Sequence, residues 1–139
     1  MKVYYINLDR SPERRAWFKQ QTEDLGLELV RVPAVDGRQL SVAELDSWRA
    51  FTEGNEILSA AEIGCFLSHR KAWEMVLSGD EKWAFVAEDD IHFSGNAAAF
   101  LSDDKWIPPL AGLVKAETDL RRHEFSSSCF PCRQTEHAP

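Results

Sequence analysis

The sequence predicts an α/β fold in which helices flank a mostly parallel sheet, and three observations lead to this prediction. The chain opens with a strand–helix–strand pattern, a long helix with a clear start signal occupies its middle, and a third apolar strand follows that helix. A helix between two strands returns the chain to the same end of the sheet, so the strands that it joins run parallel.

The first strand–helix–strand unit occupies residues 3–32. Residues 3–8 form an apolar run typical of a buried strand, and Ser11-Pro12 is typical of the N-cap and first position of a helix. Gly26 is the predicted end of that helix, and residues 27–32 are the predicted second strand. Ala16, Trp17 and Leu25 are among the apolar residues of this helix.

Two capping boxes predict the next two helices. Residues 41–44 and 59–62 both have the Ser-x-x-Glu spacing in which serine and glutamate satisfy each other's backbone amides. The first helix should end near Phe51 and the second near Gly79. Five apolar residues of the second helix recur at helical spacing and predict its buried stripe: Ile63, Phe66, Leu67, Trp73 and Leu77.

The third strand leads into the most informative motif of the chain. Residues 82–87 are largely apolar, and Glu88-Asp89-Asp90 follows them directly. Adjacent carboxylates repel one another, so their place beside a core strand calls for a compensating cation or donor group. Ligands of open α/β sheets bind beyond the carboxyl ends of the strands. The motif therefore predicts a metal-assisted site, with a solvated acidic turn as the alternative.

Mg²⁺ and Mn²⁺ fit this motif, because they prefer hard oxygen ligands and usually share them with substrate phosphates. We expect Asp90 to be the direct metal ligand, and Glu88 or Asp89 to reach the metal through water or to bind a ribose hydroxyl. In a continuing strand Glu88 and Asp90 would point the same way with Asp89 opposite, whereas in a turn all three could converge.

A basic segment follows the first strand. Asn7 and Asp9 lie at the end of that strand, and Arg10, Arg14 and Arg15 surround the start of the first helix. Free amides at a helix N-terminus together with guanidinium groups predict an anion site. A capped helix with a solvated basic face is the alternative.

A small, partly polar stripe lies beside the apolar one on the long helix. Its members fall at positions i, i+3, i+4 and i+7: Cys65, Ser68, His69 and Ala72. Contact with a nucleotide or sugar and a structural hydrogen-bonding role for His69 both stay open. A nucleophilic role is disfavoured, because neighbours on one helix are not set at an attack geometry.

Composition places the chain among folded proteins with one domain. Its 139 residues are 44% hydrophobic, and a net charge of −7 argues against a general nucleic-acid binder. No apolar run has membrane-spanning length, and the first strand is too short for the core of a signal peptide. We therefore expect a cytoplasmic protein with at most peripheral contact with the inner face of the membrane.

The C-terminal part of the chain has weaker patterns. Residues 113–117 predict a last strand, and residues 121–139 lack periodicity and predict a poorly ordered tail. Cys129 and Cys132 have the spacing of half a zinc site, with an incidental pair as the alternative. Three cysteines in all do not make a secreted disulfide framework.

Four blocks of sequence together resemble glycosyltransferase family 25, which includes lipooligosaccharide biosynthesis transferases and is similar to the collagen galactosyltransferase domain. They occur in the family's order and spacing and extend over about residues 1–120. The blocks are YINLDRSPERR at residues 5–15, PAVDG at 33–37, EIGCFLSH at 62–69 and VAEDDI at 86–91.

The resemblance implies a GT-A-like, Rossmann-like α/β fold and an inverting transfer from a nucleotide-diphospho-sugar, most often UDP-galactose, to a sugar hydroxyl of a lipooligosaccharide or lipopolysaccharide acceptor. By matching, Glu88-Asp89-Asp90 is the counterpart of the family's Asp-x-Asp metal motif for Mn²⁺ or Mg²⁺. Asn7, Asp9 and Arg10 match the donor pocket, and Ser68-His69 matches its surroundings.

The chain also departs from the family. Members run past 200 residues and carry a Gly- and aromatic-containing segment that helps to form the acceptor side, and residues 121–139 do not resemble it. We therefore expect an incomplete fold with a family domain at 1–120, and no catalytic base is assigned. A non-catalytic nucleotide-sugar-binding fragment, able to form homo-oligomers, is the alternative. A phosphoryl-transfer receiver domain is disfavoured, because its acid pair should follow the first strand.

Overall fold

The computed structural model describes residues 1–50 and 57–116, and their secondary structure consists of three strands, four α-helices and two short 3₁₀ turns. In chain order the strands and α-helices are β1 (Lys2–Asn7), α1 (Pro12–Thr22), β2 (Leu29–Pro33), α2 (Val42–Arg49), α3 (Ala60–Leu77), β3 (Ala84–Glu88) and α4 (Ala97–Leu101).

The three strands form one parallel sheet in the order β2-β1-β3. Val3 of β1 pairs with Leu29 of β2 on one side and with Phe85 of β3 on the other. This arrangement confirms the predicted α/β fold with a parallel sheet flanked by helices. Because β1 has a strand on each side and a helix on each face, its residues are buried from Val3 to Asn7.

Alternation along β1 sends successive side chains to opposite layers of the fold. Val3 and Tyr5 face α1, where the Tyr5 ring stacks on Phe18 with the ring centroids 4.7 Å apart. Tyr4 and Ile6 face the other layer, where they pack with Ala72 of α3. The first strand therefore holds α1 and α3 on the two faces of the sheet.

The start and end of α1 follow the sequence prediction in position and differ from it in detail. Ser11 is the N-cap residue, but its side chain makes no capping hydrogen bond. The α-helix ends at Thr22 and continues as a 3₁₀ turn over Glu23–Leu25. Gly26 follows with φ of 62°, a left-handed conformation that favours glycine.

Both predicted capping boxes are present. The Ser41 hydroxyl accepts a hydrogen bond from the Glu44 amide while the Glu44 carboxylate accepts one from the Ser41 amide, and Ser59 and Glu62 repeat the pattern. These reciprocal bonds satisfy amides that a helix start leaves without partners. They explain why α2 and α3 begin one residue after each serine.

The predicted buried stripe of α3 is wrong except for Ile63. Of the five predicted members, Leu67 is half-buried, and Phe66, Trp73 and Leu77 are exposed. The buried face instead carries Ile63 and three small residues, which are Gly64, Ser68 and Ala72. Small side chains let the helix backbone approach its neighbours closely. The close packing gained in this way favours burial of this face over burial of the face with more apolar atoms.

Residues 104–116 belong to a second structural unit, and they contain turns but no strand. The predicted strand at 113–117 is therefore wrong for residues 113–116. Its last residue, the predicted tail at 121–139 and the pair Cys129 and Cys132 lie outside the described residues. No helix in residues 1–50 and 57–116 is both long and apolar enough to cross a membrane.

The close approach of Gly37 to the start of α3 generates a stability prediction. A Cβ atom at Gly37 would overlap the backbone carbonyl of Ala60, whereas a Cβ atom at Gly95 would meet nothing within 4 Å. We expect Gly37→Ala to lower the free energy of unfolding by about 1–3 kcal/mol, because backbone atoms cannot move aside cheaply. Urea unfolding of Gly37→Ala beside the matched control Gly95→Ala measures the effect. Equal transition midpoints for the two variants would contradict the close packing of α3.

Candidate functional site

The carboxyl ends of β1 and β3 lie side by side and form the edge at which the candidate site is built. Ile6 of β1 pairs with Glu88 of β3, so Asn7 and Asp89 come next at the same edge. α1, which joins β1 to β2, lies on one face of the sheet, and α3, which precedes β3, lies on the other. Connections that diverge in this way open a crevice between adjacent strand ends, where doubly wound sheets bind ligands.

Asn7 is the centre of the hydrogen bonds at this edge, and it is 1% exposed. Its Nδ2 donates to Asp89 Oδ2 at 2.6 Å and to the Ser11 carbonyl at 3.0 Å. Its Oδ1 accepts from Arg31 Nε at 3.0 Å. One buried amide thereby joins β1, β2, β3 and the start of α1.

Arg14 of α1 supplies positive charge to two members of the acidic motif. Its Nη2 lies 2.5 Å from Asp89 Oδ1 and 2.6 Å from Asp90 Oδ2. Asp89 is buried and Asp90 is exposed, so one guanidinium spans the boundary between protein and solvent. These three residues line an open pocket of about 360 Å³ together with Glu13 and Trp17.

Glu88 points to the opposite face of the sheet. Its Oε1 lies 3.1 Å from His69 Nε2 and 3.8 Å from Cys65 Sγ, both on α3. Strand alternation causes this separation, because Glu88 still belongs to β3 and Asp89 follows with the reverse orientation. The structure therefore divides the acidic motif between a face with Arg14 and a face with His69.

A second group of ion pairs holds the loops around this edge. Arg31 Nη2 donates to the Asn7 carbonyl at 3.0 Å and to Asp9 Oδ1 at 2.6 Å, and the bond from Arg31 lowers the pKa of Asp9. Arg10 Nε donates to Asp36 Oδ2 at 2.7 Å. Asp9 and Arg10, two predicted donor-binding residues, thus each have a protein partner.

Ser68 is buried, and the described contacts use its hydroxyl twice. The oxygen accepts from the Val35 amide at 2.8 Å, and the hydroxyl donates to the Gly64 carbonyl at 2.6 Å. These bonds fix the loop after β2 on α3. The predicted contact of Ser68 with a nucleotide or sugar stays a prediction.

The Cys65 thiol is a poor nucleophile in this setting. Burial and the negative charge of Glu88 raise its pKa, which lowers the fraction of thiolate at neutral pH. This agrees with the sequence interpretation that disfavoured a nucleophile on this helix.

Some of the predicted site residues come together and others do not. Asn7 meets Asp89, and His69 meets Glu88, whereas the contacts of Asp90 are with α1. The sequence interpretation missed Arg31, although a charged residue within the apolar second strand was an available signal. It included Arg14 among anion-binding groups and did not foresee the pairing with the acidic motif.

Exposed carboxylates at this edge fit a hard divalent cation. Glu88 and Asp90 have side chains that are 49% and 61% exposed, and both offer oxygen ligands. Mg²⁺ is usually bound through one or two carboxylates, with water and substrate phosphates completing its shell. The predicted metal role of both residues therefore stays open to test.

Comparison with known proteins decides the family. The family model described as Glycosyltransferase family 25 (LPS biosynthesis protein) matches residues 1–128. The chain belongs to glycosyltransferase family 25. No solved structure gives a significant match.

Relatives within family 25 include a protein named as a galactosyltransferase and a protein named as inactive. A glycosyltransferase 25 family member from Aedes aegypti is 42% identical over 98 residues, which are 66% of this chain and 16% of the relative. Procollagen galactosyltransferase 2 from Mus musculus is 31% identical over 99 residues, which are 66% of this chain and 16% of the relative. Inactive glycosyltransferase 25 family member 3 from Mus musculus is 33% identical over 102 residues, which are 68% of this chain and 17% of the relative. The chain thus spans about a sixth of the length of each.

Loss of the Asn7 amide should destabilise this family 25 chain. Asn7→Ala removes the donor to Asp89 and the acceptor for Arg31, and leaves a buried carboxylate with fewer partners. We expect the free energy of unfolding to fall by about 1–3 kcal/mol. Chemical unfolding of Asn7→Ala measures this beside Asn96→Ala, because Asn96 is exposed and its side chain makes no capping bond. Equal losses of unfolding free energy in the two variants would contradict the central place of Asn7 among the hydrogen bonds at this edge.

The ion pairs of Asp36 predict an acid-dependent stability. Hydrogen bonds from Arg38 and Arg10 hold the pKa of the Asp36 carboxyl well below its ordinary value of 3.8. A carboxyl whose pKa is lowered by folding stabilises the protein above its unfolded pKa, and the stabilisation disappears as the pH falls through the folded pKa. We expect Asp36→Asn to lower the melting temperature at neutral pH and to make its decline below about pH 4 shallower.

Thermal unfolding followed by circular dichroism, from neutral pH to about pH 2, tests the Asp36 prediction. Asp80→Asn is the control, because Asp80 is an exposed residue after α3. A profile for Asp36→Asn that is parallel to that of the wild type throughout would refute the linkage.

Proposed function

We propose that this chain forms the donor-binding part of a glycosyltransferase that transfers galactose from UDP-galactose to a glycan hydroxyl. One observation carries the proposal: the acidic motif lies at the β1–β3 edge, where doubly wound sheets bind nucleotides. Membership of family 25 and a relative named as a galactosyltransferase support the reaction class and the sugar.

The donor would occupy the crevice beside the acidic motif. Trp17 presents a half-buried aromatic ring in the pocket that Arg14 and Asp90 also line, and such a ring suits the flat face of a base or sugar. Asp90 would bind Mn²⁺ or Mg²⁺ directly, and Glu88, which faces α3, would reach the metal through water. The metal would neutralise charge on the diphosphate leaving group. Asn7 and Arg31 would act by fixing the strand ends, since their polar groups already bind protein partners.

The transfer would invert the anomeric centre. An acceptor oxygen forms the new bond to the anomeric carbon while the bond to the diphosphate oxygen breaks, and the electron pair of that bond leaves with UDP. The proton of the acceptor hydroxyl passes to a base, which we assign to none of the described residues. The described edge therefore accounts for the donor and leaving-group side of the reaction.

For the acceptor we propose a lipooligosaccharide or lipopolysaccharide glycan, met at the cytoplasmic face of a membrane by a peripheral protein. The description of the family as an LPS biosynthesis protein supports this choice. The relatives named above are animal proteins, and one of them is named for procollagen, so a procollagen acceptor belongs in the same assay.

A second candidate function is nucleotide-sugar binding without transfer. A relative named as inactive is as similar to this chain as the relative named as a galactosyltransferase, at 33% and 31% identity. Similarity at this level therefore does not decide between a transferase and a protein without transfer activity. The experiment must measure donor binding and transfer separately.

Calorimetric titration of UDP with and without Mn²⁺ tests donor binding. We expect binding to require the metal and to weaken by at least about tenfold in Asp90→Ala, because that variant loses the exposed carboxylate of the motif. Asp80→Ala is the matched control and should bind as the wild type does. A UDP affinity that is the same with and without Mn²⁺ and the same in Asp90→Ala would refute the proposed site.

Transfer from UDP-galactose to glycan acceptors separates the two candidate functions. Metal-dependent UDP binding with galactose transfer supports the enzyme, whereas the same binding without transfer supports the non-catalytic module. No UDP binding by a folded, monodisperse sample would exclude both.

A further inference from the structure

α3 and β3 bring together three different metal-binding atoms on the face away from Arg14. They are the thiol sulfur of Cys65, a ring nitrogen of His69 and a carboxylate oxygen of Glu88, and all lie within 4.8 Å of one another. No other group of three His, Cys, Asp or Glu side chains with this spacing occurs among residues 1–50 and 57–116.

Two of the three separations are close to the edge lengths of a small tetrahedron, and the third is within 4.8 Å. With metal–ligand distances of about 2.0–2.3 Å, a tetrahedral zinc site places its ligand atoms about 3.3–3.8 Å apart. The observed separations are 3.1 Å between His69 Nε2 and Glu88 Oε1 and 3.8 Å between Cys65 Sγ and the same oxygen. A cation between the three atoms would need only small side-chain adjustments.

Local structure explains why these groups meet. Cys65 and His69 are four residues apart and lie on one side of α3, as two ligands on a helix usually do. Glu88 is the last residue of β3, where alternation turns it toward α3. The small residues of the buried α3 face let the helix lie close enough for the ligands to reach one another.

The donor set selects the type of cation. Thiolate sulfur and imidazole nitrogen favour zinc and similar ions, whereas Mg²⁺ and Mn²⁺ favour oxygen. The His69 and Glu88 side chains are 30% and 49% exposed, so solvent reaches the cluster. Three protein ligands with access to solvent leave a fourth position for water or an exogenous ligand.

We propose that Cys65, His69 and Glu88 bind Zn²⁺, with the fourth coordination position open to solvent. Binding takes one proton from the Cys65 thiol and releases it to the solvent. This proposal does not depend on the transferase function. A consequence that does rest on the proposed function is that Zn²⁺ would occupy Glu88, one of the two carboxylates expected to hold Mn²⁺ or Mg²⁺.

Cobalt absorption provides the first test, because Co²⁺ bound to thiolate gives a charge-transfer band. The chain has three cysteines, so the experiment uses a Cys129→Ser/Cys132→Ser background in which Cys65 is the remaining thiol. We expect a band at one Co²⁺ per chain that Zn²⁺ displaces. Cys65→Ser should abolish the band.

Histidine variants separate coordination from general effects on the fold. His69→Gln should weaken Co²⁺ binding by on the order of 100-fold in this background. His92→Gln should leave binding unchanged, because His92 is exposed and packs edge-on against Trp17 away from the cluster. Equal affinities for the two variants would overturn the assignment of His69 as a ligand.

Alkylation of the wild-type chain gives a test that needs no variants. Peptide mass spectrometry follows the modification of Cys65 with and without Zn²⁺, and the coordinated thiol should react at least about tenfold more slowly. Equal rates of Cys65 modification, or a folded background variant without the charge-transfer band, would overturn the proposal. Neither measurement involves UDP, so its failure is distinguishable from failure of the donor site.

Discussion

A buried carboxylate at the end of β3 determines how the elements of this fold meet. Asp89 is 5% exposed, and removing a charge from water costs several kcal/mol unless partners replace the lost solvation. Asn7 of β1 and Arg14 of α1 supply those partners at 2.6 and 2.5 Å. The strand order and the position of α1 are therefore coupled, because each is required to compensate Asp89.

The same edge separates two chemical environments, because β3 ends at Glu88 and both aspartates of the turn that follows contact Arg14 of α1. Glu88 belongs to the environment of α3 with sulfur and nitrogen donors, whereas Asp90 belongs to that of α1 with a guanidinium and an aromatic ring. Glu88 is thus the one residue for which a hard cation and a softer cation would compete. Under these two proposals one acidic motif would serve two kinds of cation, because Glu88 and Asp90 face opposite layers.

Local signals in the sequence predicted the elements well, and they predicted contacts between elements poorly. Capping boxes and the apolar runs found α2, α3 and the three strands, because these features depend on nearby residues. The face of α3 was wrong, since Gly64 and Ala72 pack by close approach, which an apolar count does not measure. The Asp89–Arg14 pair was also missed, because 75 positions separate them and charge alone does not specify a partner.

The central position of β1 has a further consequence for ligand binding. Its backbone is hydrogen-bonded to strands on both sides, so Asn7 at its end moves only if the sheet opens. Amides of β1 should exchange with deuterium with a free energy of opening close to that of global unfolding. This strand end is therefore preorganised, and binding of a ligand there would cost the protein little conformational entropy.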